Sequence, residues 1–159
     1  MVSPLATIVV ARSQRTADLG ARIYGDKRDA YRAVASDTYK GRDLLAACTD
    51  ELKLAADDAE ARALIGDLED AMNALQVAEP DTLAVFAVIA PDRVQNARDD
   101  FADAWNESLA PLWTLDRNGE GFTADAQKAV DHALDVLAAP TRRLRDSMRD
   151  DLCETELIK

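Results

Sequence analysis

Chain breakers are scarce: the 159 residues contain only six Gly and five Pro, and aromatic residues make up 5%. Against 30 Ala, so few turn formers point to helices. Two cysteines, Cys48 and Cys153, make neither a disulfide framework nor a four-ligand zinc site, and their small number suits a reducing compartment. A single histidine, His132, leaves di-iron carboxylate chemistry without its second Glu-x-x-His helix. The same residue would have to serve any Ser-His-Asp or Cys-His arrangement; mid-helix, with Lys128 and Asp135 near it, His132 reads as a solvent-facing or bundle-edge residue. No glycine motif that cradles phosphate occurs. Nor is there a run of about 20 apolar residues, so no segment spans a bilayer alone. The apolar stretch Pro4 to Ala11 carries its charges, Arg12 and Arg15, after it rather than before it, the reverse of a secretory signal. Positive charge is short overall: 19 Lys+Arg face 30 Asp+Glu, for a net −11, which disfavours nonspecific binding to phosphate backbones.

What is present is helical periodicity. Apolar residues make up 48%, enough for one domain of this length with an ordinary core and no cofactor to staple it. From Ser3 and Pro4, a cap and first-turn pair, no strong stop appears until about Ala55. Leu19, Ile23, Ala30, Val34, Leu45, Cys48 and Leu52 fall on one stripe, as an amphipathic helix requires. Several recur every 11 residues, a spacing that keeps a rod nearly straight. Arg12 and Thr16 interrupt the stripe, so residues 1–18 read as an apolar and basic extension, and 19–159 as one helical domain facing its core from Leu19 onward.

Asp57 and Glu60 form a capping box that opens a second helix with Ala61, Leu64, Ile65, Leu68, Met72 and Leu75 inward, ended by Glu79-Pro80-Asp81. The segment LAVFAVIA, Leu83 to Ala90, is apolar all round and is expected as a short buried helix. Pro91 and Asp92 start another, with Val94, Ala97, Phe101, Trp105 and Leu109 inward and Asp99, Asp100, Asp103 and Glu107 outward. Past Pro111 and the loop Asp116–Gly121, Thr123 is expected to cap the last helix, whose stripe Val130, Leu134, Leu137, Thr141, Leu144, Met148, Leu152 runs on through Pro140. The fold class is all-α: a bundle of about four main helices whose first outreaches the others.

Candidate sites follow from these elements. Residues 1–45 carry eight Lys+Arg against five Asp, a net +3, whereas residues 46–159 carry 11 against 25, a net −14. A basic arm with an apolar tip (Leu5, Ile8, Val9, Val10, flanked by Arg12 and Arg15) thus stands on an acidic body. Three fates suit that tip: the end of a membrane helix, a self-association or partner contact, or folding back onto LAVFAVIA. Tyr24 and Tyr31, with Arg28 between them, form a secondary stripe readable as a partner contact or as the bundle edge. The loop Asp116 to Gln127 resembles an EF-hand calcium loop at Asp116, Asn118, Glu120 and Gly121 but lacks the bidentate Glu at its last position; the plainer reading is an inter-helix turn. The acidic face of the fourth segment suggests phosphate mimicry, but Arg93, Arg98, Arg142, Arg143, Arg145 and Arg149 interleave positive charge.

The run VSPLATIVVARSQRTADLGARIYGDKRDAYRAV, Val2 to Val34, and the segment RRLRDSMRDDL, Arg142 to Leu152, resemble uncharacterised small helical proteins of high-GC bacteria and their phages. In those proteins an N-terminal membrane helix precedes an Arg- and Tyr-containing helix. The resemblance implies a helical fold and membrane attachment and carries no activity or functional residues; here a full membrane helix is missing from the matching run. The expectation is therefore a non-enzymatic helical interaction module without cofactor, in the cytoplasm or at the inner face of the membrane. It would join a protein partner, a second copy or a lipid surface through its first helix. The alternatives are an acidic anti-defence protein of DNA-mimic type and a calcium-responsive domain.

Overall fold

The computed structural model describes the backbone of residues 4–77 and 80–157, and the side chains of residues 14, 18–75 and 83–156. Five helices account for its regular structure: α1 (Pro4–Leu52), α2 (Asp58–Val77), α3 (Pro80–Ile89), α4 (Asp92–Trp113) and α5 (Phe122–Leu157). The fold is all-α, with four main helices, the first of them long, and one short one. At 1.5 Å per residue, α1 with its 49 residues runs roughly 74 Å, against roughly 30 Å for the 20 residues of α2. Only α5, with 36 residues, approaches its length.

Local chemistry sets the boundaries. The capping box forms, with Asp57 Oδ1 accepting the amides of Ala59 and Glu60, both at 2.9 Å, while Glu60 Oε2 reaches back to the Ala56 amide at 2.7 Å. That satisfies helix-start donors which otherwise lack a partner. Pro111 falls in the last turn of α4, and the helix still runs to Trp113. Pro140 is buried within α5, which stays one helix across it.

The start of α5 departs from expectation. Thr123 is not its cap: the helix begins at Phe122, and the capping carboxylate comes from Asp58 on α2. Its two oxygens accept the amides of Gly121 (3.0 Å), Phe122 (3.2 Å) and Thr123 (2.9 Å), as well as the Thr123 hydroxyl (2.7 Å). Gly121 has φ +76°, a conformation that glycine alone adopts freely. Its left-handed turn lets the chain present three successive amides to a neighbouring helix.

The core has two parts. The lower one joins α1, α2, α4 and α5 through Leu45, Leu52, Ile65, Leu112, Phe122, Val130 and Leu137. The upper one joins α1, α3, α4 and α5 through Tyr31, Val34, Phe86, Val94, Leu144 and Met148. Phe101 on α4 packs against both. The division follows from helix length: α2 ends at Val77, and beyond it α3 takes over the packing against α1.

Two burial expectations are corrected. LAVFAVIA forms a helix, but only one side of it is buried: Phe86 is 2% exposed, whereas Val88 is 84% exposed. A helix of ten residues laid across α1 has one face to hide, so its remaining valines meet solvent. The core-facing part of α1 also starts later than Leu19. Among its described side chains the first buried one is Ala30, and Leu19 and Ile23 are 58% and 43% exposed. The stripe phase continues there, but among the described residues no other helix covers it.

Candidate functional site

The upper end of the bundle is closed by a polar cluster tying α1, α4 and α5 together. Asp151 on α5 is 5% exposed. Its Oδ2 accepts hydrogen bonds from the Tyr31 hydroxyl at 2.6 Å and the Lys27 ammonium at 2.9 Å, both on α1. Arg93 on α4 approaches its Oδ1 at 3.6 Å and holds Glu154 with two bonds of 2.8 and 2.7 Å. Lys27 also donates to the Thr155 hydroxyl at 3.3 Å. A buried carboxylate needs such partners, because unpaired charge in a dry site is costly. Burial, then the Asp151 hydrogen bond and charge, push the Tyr31 phenol above its ordinary range. Tyr31 is therefore a core residue, 3% exposed, and not the surface contact that its place on the secondary stripe suggested. Spacing along α1 could not separate the two, since Tyr31 lies at the border between the buried stripe and its flank.

Tyr24 of the same stripe is half-buried and lines an open groove between α1 and α5 with Arg28, Arg32, Arg145 and Arg149. Arg28, Arg145 and Arg149 each meet the aspartate next in sequence, Asp29, Asp146 and Asp150. With Glu156 also lining the groove, its four arginines stand against four carboxylates. Above the polar cluster the arm continues as helix toward Pro4. Its expected contact residues Leu5, Ile8, Val9, Val10, Arg12 and Arg15 have side chains outside the described ones.

The EF-hand-like loop is organised as a turn. Asp116 Oδ1 accepts the Asn118 amide at 3.0 Å, and the Asp116 carbonyl accepts the Gly119 amide at 3.1 Å. Arg62 on α2 donates to the Gly119 carbonyl at 3.0 Å and stacks its guanidinium over the Phe122 ring, 5.2 Å from the centroid. Glu120 is exposed, and among the described residues no group of three or more His, Cys, Asp or Glu side chains could hold a metal ion. The acidic outer face of α4 carries partners too: Arg98 meets Asp99 at 3.1 Å, and Arg143 on α5 meets Asp100 at 3.8 Å. His132 is exposed on α5.

Where the two parts of the core meet, all four main helices border a partly enclosed cavity of about 370 Å³. Met72, Leu75, Phe101 and Trp105 form apolar walls, and Asp37 and Arg98 lie at its border. Phe101 and Trp105 stand 5.8 Å apart, ring centre to ring centre. Both lie on the inward stripe of α4, and they are half-buried because this space adjoins them. Compared with family models, curated proteins and solved structures, the chain matches none.

Proposed function

We propose that the chain is a helical interaction module without chemistry of its own, and that the N-terminal part of α1 is its docking element. The observation that supports this is the mismatch between periodicity and packing on α1. Leu19 and Ile23 continue the apolar stripe of the buried residues, yet stand 58% and 43% exposed. Large apolar side chains repeated on one helix face, with basic residues beside them, suit a second helix or an anionic lipid surface. The setting proposed with it is the cytoplasm, at the inner face of the membrane if lipid is the surface bound.

The test uses Leu19→Lys combined with Ile23→Lys in the full chain. Both positions are exposed, so the helical melting transition should hardly change. Light scattering after size exclusion, and co-sedimentation with vesicles containing anionic lipid, are expected to show an associated or vesicle-bound wild type and a variant that has lost either behaviour. A wild type that stays strictly monomeric and leaves vesicles in the pellet bare would overturn the reading.

A further inference from the structure

We propose that the cavity between α1, α2, α4 and α5 is a binding site for a small zwitterion with an aromatic body, such as an aromatic α-amino acid. This goes beyond the docking role of α1 and does not depend on it.

The size suits such a ligand, since about 370 Å³ falls at the small end of the range for small-molecule sites. The lining has the mixture that such sites need. Met72, Leu75, Phe101 and Trp105 offer apolar and aromatic surface, and Asp37 and Arg98 bring one charge of each sign. The disposition of those two charges is the informative part. They border one cavity from two helices, α1 and α4, and they do not pair with each other. Each instead meets a neighbour on its own helix: Asp37 meets Lys40 at 3.3 Å, and Arg98 meets Asp99 at 3.1 Å. Lys40 and Asp99 are 59% and 65% exposed in their side chains, and ion pairs in such surroundings contribute little. Both charges at the cavity are therefore available to a ligand at small cost.

A ligand with a carboxylate for Arg98 and an ammonium for Asp37 would satisfy the pair together. Arg98 favours the carboxylate because its planar fork matches two oxygens. The ring would then lie among Met72, Leu75, Phe101 and Trp105. A ligand with one charge engages only one of the two groups and forgoes a charge-assisted hydrogen bond, while the other group keeps only its weak partner on its own helix. An acidic or a basic ligand alone is thus the weaker fit.

The test titrates L-phenylalanine, 3-phenylpropionate and phenethylamine into the full chain, reading tryptophan fluorescence and calorimetric heat. Phenylalanine is expected to saturate one site, and loss of either its ammonium or its carboxylate to weaken binding by about tenfold or more. In Arg98→Gln, phenylalanine and phenethylamine should bind alike; in Asp37→Asn, phenylalanine and phenylpropionate should bind alike. Ala102→Leu, which places a larger side chain at the cavity wall, should block all three. The proposal is overturned by no saturable binding of phenylalanine by the folded wild type, or by binding of both singly charged analogues as tight as that of phenylalanine. Binding unchanged in Ala102→Leu and in both charge variants would place the ligand elsewhere and overturn it as well.

Discussion

The Tyr31 hydroxyl donates to Asp151 Oδ2 at 2.6 Å across 120 positions of sequence, and together with the Lys27 ammonium on the same oxygen it ties α1 to α5 near the end of the packed part of α1. Below it α1 is packed; above it Leu19 and Ile23 face solvent. Tyr31→Phe removes the donor but leaves Lys27 and Arg93 on the carboxylate, so a loss of about 1.5–3 kcal/mol is expected from a hydrogen bond to a charged group. Chemical denaturation measures it. The pH dependence has a definite sign. The folded phenol titrates above its unfolded value of about 10, so its contribution is complete below that pH and is lost as pH rises beyond it. The stability gap between wild type and Tyr31→Phe should therefore narrow in alkali.

Asp58 gives the opposite sign. The Thr123 hydroxyl and amide, followed by the Phe122 and Gly121 amides, hold its carboxyl down to about 2. Its contribution is present above the unfolded value of about 4 and is lost as pH falls through about 2. Asp58→Asn should melt several degrees lower at neutral pH, since it weakens the only cap at the start of α5 among the described contacts. Thermal melts at descending pH should show the difference shrinking between pH 4 and pH 2.

Gly41 lies under the indole of Trp105, and a Cβ there would collide with the far edge of the ring. Gly41→Ala gains about 1 kcal/mol in helix propensity and loses about 1–3 kcal/mol to overpacking. A net loss of about 1 kcal/mol is expected, accompanied by altered tryptophan emission as the Trp105 ring shifts. Increased stability with unchanged fluorescence would contradict the close approach.

The two cysteines should separate in reactivity. Burial, then the charge of Glu51, push the Cys48 thiol up to about 11, whereas Cys153 is exposed. A chromogenic disulfide reagent at neutral pH should titrate one thiol quickly and the second only on unfolding. Cys153→Ser should abolish the fast phase.

The sequence by itself carried the helix count, the capping box at Asp57 and Glu60, the inward faces of α2 and α4, and the unusual length of α1. Each depends on spacing within a segment, where residues three or four apart must share a face. It could not say where another helix stops covering that face. Leu19 and Ile23 keep the phase of Ala30 and Val34, but α2 ends and α3 is short, so identical periodicity ends in solvent at one end and in core at the other. The cap from Asp58 to Thr123, the bond from Tyr31 to Asp151 and the fit of Gly41 under Trp105 join residues tens of positions apart. The cavity bordered by Asp37 and Arg98 belongs with them. Only the packing of helices against one another decided these, because no rule of local spacing registers what a different segment brings alongside.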